Sequence, residues 1–410
     1  MDRLLKDARL PDGRRVDIHL TDGTITGVSD AGAGPAEATI IDDLDGWLVL
    51  PAMAEPHAHL DKALTAEVVP NPRGDLDGAI EAWIAAARAG EITHEGIVER
   101  AIRAIELLMV HGVTAVRSHV NVGAGYGAAS VRALQEARSH FEGLIDIQLV
   151  ALTHTPMTGP EGAENRAALI EAIEAGVDLV GGCPHLDPDG PALIANALAV
   201  AADAGIGIDL HVDEMLDPSV LTLRELARQV IDSGFEHPVA ASHCVTLGMQ
   251  SPEVQAEVAR EVAEAGIAVF PLPQTNLFLQ GRDHPTATPR GLTAIRALQD
   301  AGALVAAGAD NVQDPFNLVG RSDPLETAAL LVMAGHQLPE DAYRMVSNDV
   351  RAGIGLPRVD IEPGSPAELV AIDAASAREA IADAPMARRV YHRGALVASA
   401  DQQTSVHRSR

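Results

Sequence analysis

Residues 204–212 read AGIGIDLHV, and the same pattern returns at HGVTAVRSHV (111–120), AGVDLVGG (175–182), AGIAVF (265–270) and AGALVAAGAD (301–310). In each, a helical stretch closes on a glycine and a short apolar run follows. Glycine takes the left-handed conformation that ends a helix. A run that is apolar on both faces suits a strand buried between helices. Further strand-like runs lie at 48–56, 145–152 and 239–243. With 113–119, 177–182, 206–212, 266–270 and 303–308 they make eight. The stretches 93–110 and 251–264 have helical apolar spacing, and Ser251-Pro252 and Asp323-Pro324 read as N-caps followed by a first-turn proline. Eight strands alternating with helices predict an α/β fold, a (β/α)8 TIM barrel. A doubly wound open sheet is the alternative, but no glycine-rich phosphate loop follows any strand.

The chain ends read differently. RRVDIHL (14–20), TITGVSD (24–30), TIIDDLDGWLVL (39–50), AELVAIDA (367–374) and RRVYHRGALVAS (388–399) are short strand-like pieces separated by turn residues. They predict one small β-sandwich domain made by both ends, residues 1–50 and 351–410, flanking a barrel over residues 51–350.

The chain has 410 residues, 47% of them hydrophobic and only 2% aromatic, so its core must be aliphatic. The 58 Asp and Glu against 30 Lys and Arg give a net charge of −28. A surface of that sign repels polyanions and anionic lipid, which excludes nucleic acid and membrane as main partners. Two cysteines make no disulfide framework, and the first residues, MDRLLKDARLPDG, carry no apolar signal segment. A cytoplasmic protein is the expectation. Lysine occurs only at Lys6 and Lys62, while histidine occurs 16 times.

Barrel sites form at the C-terminal ends of the strands, and there the histidines gather. The first strand ends in EPHAHLDK, with His57 and His59 two residues apart on one strand face. The fifth ends in DLHVDE (His211, Glu214), the sixth in ASHCV (His243) and the eighth in GADNVQDP (Asp310). Imidazoles and a carboxylate at four strand ends suit one divalent ion, Zn²⁺ or Fe²⁺. Such an ion lowers the pKa of water toward about 7. Asp310 can ligate the ion and take a proton from water. Glu214 can carry a proton to a substrate nitrogen, and His243 can hydrogen-bond the attacking or departing group. The chemistry indicated is hydrolysis of a C–N bond at an sp² carbon.

In this order, EPHAHLDK, RSHVNV, DLHVDE, ASHCVTLG, NLFLQGR and GADNVQDP resemble the amidohydrolase superfamily, and within it the bacterial cytosine deaminase branch, which includes N-isopropylammelide amidohydrolases. The resemblance spans nearly the whole chain. It implies a mononuclear centre ligated by His57, His59, His211 and Asp310, with Glu214 as proton shuttle and His243 orienting the attacking water. Binuclear relatives use a carboxylated lysine after the fourth strand, where this chain reads DLVGGCPHLD. Three substrate-reading positions depart from cytosine deaminases. His154 stands in place of a glutamine, Asn311 in place of an aspartate, and Phe316 in place of a tryptophan. Glutamine offers a paired amide donor and acceptor that histidine does not, so cytosine itself is not the expected substrate. Lys62 resembles a lysine of the isopropylammelide branch that contacts the ring; the alternative for it is a surface salt bridge. Lys62 and His154 together suggest an oxo-rich pyrimidine, triazine or related ring. A homo-oligomer is a further expectation from the relatives. A cyclic amide hydrolase that opens the ring is the competing enzymatic reading. A non-catalytic scaffold would show erosion of the ligand set, which is complete here.

Overall fold

The computed structural model describes residues 2–33 and 38–407. Five strands come first: β1 (Asp2–Arg9), β2 (Arg15–Thr21), β3 (Thr24–Asp30), β4 (Ile40–Asp43) and β5 (Leu48–Pro51). Seven parallel strands follow, each after at least one helix except the first: β6 (Met53–Ala58), β7 (Val113–Val122), β8 (Asp146–Thr153), β9 (Leu179–Gly181), β10 (Gly207–Val212), β11 (Val239–His243) and β12 (Ala268–Phe270). They pair in sequence order, as a right-handed barrel of β-α units requires. The chain ends with β13 (Leu369–Ile372), β14 (Arg388–His392) and β15 (Ala395–Ala400).

The eighth barrel segment departs from the expectation of a strand at 303–308. It closes the ring through two single parallel bridges, Val269 to Val305 and Ala58 to Asp310. The reason is that its ladder groups go elsewhere. Ala307 N–H bonds the Met345 carbonyl, Ala309 N–H bonds a carboxylate oxygen of Glu55 at 2.9 Å, and Asp310 turns left-handed at φ 68°. The stretch read as one strand at 48–56 also divides. Leu48–Pro51 pairs with β13 in the small sheet, Ala52 N–H bonds the Glu368 carbonyl, and Met53–Ala58 enters the barrel.

Alternation along β10 explains how the barrel carries polar groups. Ile208, Leu210 and Val212 pack outward into the helix layer, leaving Asp209 and His211 on the opposite, inward face. A smaller cluster unites Ala54, Ala115, Ala240, Ala268 and Ala306 with Phe270. Small residues from five staves around one aromatic ring account for a barrel nearly free of aromatics. Ser251 and Asp323 cap their helices as expected, accepting from Val254 N–H and Leu325 N–H, with Pro252 and Pro324 next in line.

Both chain ends build one hydrogen-bonded sheet in the order β15-β14-β13-β5-β1-β2-β3, with β4 also on β1. It has its own core, including Leu5, Ile18, Leu20, Ile25, Leu369 and Tyr391. Strand β1 was not expected from the sequence. The sheet is tied to the barrel by Arg388, a fully buried residue of β14. Its guanidinium makes two bonds to Asp323 (2.9 and 2.7 Å) and another to the His111 carbonyl. A planar fork on a carboxylate fixes orientation as well as distance.

Candidate active site

Four side chains meet at the C-terminal mouth of the barrel. His57 and His59 come from the end of β6 and just beyond it, and His211 from β10. Asp310 comes from the eighth segment, held beside β6 by its N–H on the His57 carbonyl. The Nε2 atoms of His57 and His211 lie 3.1 Å apart, and those of His211 and His59 3.3 Å. Asp310 Oδ1 lies 3.2 Å from His59 Nε2 and 3.6 Å from His57 Nε2. Metal–nitrogen bonds of 2.0–2.1 Å at tetrahedral angles give ligand-to-ligand edges of about 3.3–3.4 Å. His211 Nε2 therefore lies at coordination-shell spacing from both His57 and His59, and Asp310 Oδ1 at that spacing from His59. Asp310 Oδ1 is buried and has no hydrogen-bond partner, which a cation would supply. The donor set fits a divalent ion.

Electrostatics support the same use. Burial, with help from the neighbouring imidazoles or Lys62, holds His57, His59 and His211 well below the ordinary histidine range. They are neutral, as nitrogen ligands must be. The tautomer of His57 follows from its surroundings. Ser242 Oγ donates to Asp209 Oδ1 (3.1 Å), so Oγ can only accept from His57 Nδ1–H (2.7 Å). The His57 proton sits on Nδ1 and the Nε2 lone pair faces the cluster. Asp209 Oδ2 in turn accepts from Arg117 (2.8 Å), whose Nε donates to Gln148 Oε1. His119 stacks against His57 at 3.9 Å between ring centres and lies fully buried beneath it.

Two further groups border the cluster. His243 Nδ1 is 3.6 Å from Glu214 Oε1, and His243 Nε2 is 3.9 Å from Asp310 Oδ2. Strand alternation alone would point Ser242 and His243 to opposite faces. The left-handed conformation of His243 (φ 68°) and Cys244 (φ 51°) breaks it, so both face the site. Glu214 is delivered the same way, by left-handed Asp213 (φ 51°). The Asp213 carboxylate then accepts from the N–H groups of Thr222 and Leu223 and pins the loop to the next helix. Burial, and then the Asp310 charge, push the Glu214 carboxyl well above its ordinary range. Burial pushes Asp310 up to about 6 and takes His243 down to about 4.

Above the cluster opens a cavity lined by Lys62, Trp83, His154, Cys183, Asn311 and Phe316, together with Glu214 and His243. Lys62 is not a surface residue: it is 4% exposed. Its Nζ lies 3.0 Å from His59 Nδ1 and 5.2 Å from the centre of the Phe316 ring. His154 is kept neutral by burial, its pKa lowered to about 4, and bonds the Tyr126 hydroxyl. Asn311 lines the cavity, but its Nδ2 is engaged by Asp314 Oδ2 at 2.7 Å. Gln280 fixes the site from outside by donating to the Glu214 carbonyl. Arg282 and Phe278 stack on each other away from the cavity wall.

Sequence reading missed the buried support of Arg117, Asp209 and Ser242. A signal was present: Arg117 stands two before His119, and Asp209 two before His211, so each shares the inward face of its strand. It also missed Asn121 and Thr153 in the cavity wall, ordinary polar residues at strand ends with no spacing of their own.

The amidohydrolase family model matches residues 75–398. Pterin deaminase of Rhizobium rhizogenes is 33% identical over 389 residues, covering 93% of this chain and 88% of the relative. N-isopropylammelide isopropyl amidohydrolase of Pseudomonas sp. is 26% identical over 88% of this chain and 89% of the relative. The structure of 5-methylcytosine deaminase from Klebsiella pneumoniae, liganded with 5-fluorocytosine, superposes with a TM-score of 0.87 at 29% identity, covering 99% of each chain. Among the described residues no helix is long and apolar enough to cross a membrane.

Proposed function

This chain belongs to the amidohydrolase family and is a hydrolase of C–N bonds other than peptide bonds. From that premise we propose that it deaminates a small amino-substituted, oxo-rich N-heterocycle. Water replaces the amino group at an sp² ring carbon and ammonia leaves. The observation that carries this reading is the convergence of His57, His59 and His211, with His243 and Asp310 also clustered on His57, beneath a cavity bordered by Glu214, whose carboxyl is pushed well above its ordinary range by burial.

We assign His57, His59, His211 and Asp310 as ligands of one divalent ion, Zn²⁺ or Fe²⁺. When bound, the ion supplies Lewis acidity that makes water a nucleophile near neutral pH. Asp310 accepts the proton that water gives up. Glu214 delivers its proton to the ring nitrogen beside the reacting carbon, takes the remaining proton from the added hydroxyl as the carbonyl forms, and passes that proton to the leaving amine. His243 hydrogen-bonds the incoming oxygen or the departing nitrogen. Ser242, Asp209 and Arg117 hold His57 in the tautomer that a ligand needs.

Lys62, His154, Asn311 and Phe316 are assigned to substrate. An ammonium only donates, so the contact with His59 Nδ1 puts that ring's proton on Nε2. A bound ion would need the Nε2 lone pair, which would put the His59 proton on Nδ1 and leave the Lys62 ammonium free to donate to a ring carbonyl, with the Phe316 face behind it. A cytoplasmic, homo-oligomeric enzyme fits the reading. The test is ammonia release from a panel of amino-heterocycles (pterin, cytosine, isocytosine, amino-triazines) by metal-loaded protein. Ammonia with the ring chromophore retained supports deamination; loss of the chromophore without ammonia would mean ring opening instead.

A further inference from the structure

A second cavity lies against the first. It is larger, and the two share Trp83, Ile84, Asn121, His154 and Thr155 as a common wall. Metal ligands and Glu214 line only the inner one. The outer one is faced by aliphatic Ile92, Ile97 and Ala87, with Arg88 and Glu161 also contributing to its lining. The wall is a built feature. Trp83, from the helix Leu76–Arg88, is 4% exposed and packs with Val69, Ala86 and Phe316. His154 is fixed to Tyr126, a residue of the outer cavity. Gly123 makes room for it, since a Cβ at that position would come 2.9 Å from the His154 Cβ.

A single-ring substrate held against the metal ligands would use the inner cavity alone and leave the outer one without a role. We propose that the outer cavity is a subsite for a substituent on the ring, entered between Trp83 and His154. The substrate class is an amino-oxo heterocycle, one ring or two fused, bearing a side chain with an apolar stem and a polar end. The stem lies along Ile92, Ile97 and Ala87, and the end reaches Arg88 and Glu161. The aromatic wall gives the ring edge and stem a flat apolar surface, and His154 offers a ring nitrogen at the junction. This rests on the deaminase reading above and adds what the substrate carries.

The test uses metal-loaded full chain and three probes: pterin without a side chain, a pterin bearing an arylaminomethyl side chain, and cytosine. Wild type is expected to turn over the side-chain-bearing pterin with the highest kcat/KM. Ala87→Phe, which narrows the outer cavity, is expected to lower that value by about tenfold or more, the worth of a methylene or two of apolar contact. For unsubstituted pterin the change stays within about twofold. Ala124→Phe, in the loop on the opposite side, should repeat the pattern, with Tm and metal content as in wild type. Equal losses on both pterins, no loss on either, or turnover of cytosine alone would overturn the subsite while leaving deamination intact. Absence of ammonia from every ring in the wider panel would instead remove the deaminase reading, and the subsite with it.

Discussion

Ser242→Ala removes a single hydroxyl that touches neither substrate nor the cavity, yet its effect on the metal centre can be worked out. The hydroxyl is the acceptor for His57 Nδ1–H at 2.7 Å and a donor to Asp209 Oδ1 at 3.1 Å. Without it, a fully buried N–H and one oxygen of a fully buried carboxylate both lose partners, at a folding cost of about 1–3 kcal/mol. His57 is also no longer held with its Nε2 lone pair toward the cluster. Loss of a hydrogen bond behind a metal-bound histidine costs about 10- to 100-fold in metal affinity, which is about 1.4–2.8 kcal/mol. Zinc affinity measured by competition with a chromophoric chelator should fall by that factor in Ser242→Ala and recover in Ser242→Thr, which keeps the hydroxyl. Urea unfolding of the metal-free protein gives the folding cost separately. Affinity within about twofold of wild type, alongside a measurable loss of folding stability, would refute the argument that the relay sets the tautomer.

Four other outcomes are expected. Glu214→Gln should retain the ion and lose about 10²–10⁴ in kcat, because an amide carries no transferable proton; unchanged turnover would rule out the shuttle. His57→Ala should emerge without bound metal by elemental analysis, and full occupancy would contradict its assignment as a ligand. Arg388→Met leaves Asp323 an uncompensated buried carboxylate where the small sheet meets the barrel, and urea denaturation should show a loss of about 3–5 kcal/mol. Glu368 supplies a pH signature. Burial alone would raise its carboxyl, but the His392 hydrogen bond and the Arg351 charge outweigh it and hold it below its ordinary value of 4.5. Its ionised form therefore stabilises the fold above that pH, and the contribution disappears as pH falls through the lowered folded-state value. The stability gap between wild type and Glu368→Gln should narrow below pH 4.5; a gap constant with pH would contradict the ion-pair reading.

The barrel was legible because each strand opens as a short apolar run after a helix that closes on a glycine, signals that need no tertiary context. The gathering of His57, His59 and His211 was legible because strand alternation and strand ends together restrict where a histidine can point. Glu214 and His243 were read as site residues, but Ser242 escaped: it shares a site with its neighbour His243 only because the backbone there turns left-handed, and nothing in the residue types announces this. The eighth segment reads as an apolar strand, but its ladder groups are taken by Met345 and Glu55, partners far away in sequence. The Arg117–Asp209 pair lay on an inward face, yet polar residues within a barrel strand give no indication of whether they serve catalysis or support it.

That eighth segment decides where the proposed ligand set is joined. Asp310 is brought beside His57 by one backbone hydrogen bond and beside Glu55 by the neighbouring Ala309 amide, contacts between the first and last staves of the ring. The imidazoles belong to β6, the residue just past it and β10, which pair through ladders, whereas the carboxylate stands on the segment that closes by single bridges. An ion held by all four would tie the first stave to the last across the least regular seam of the ring.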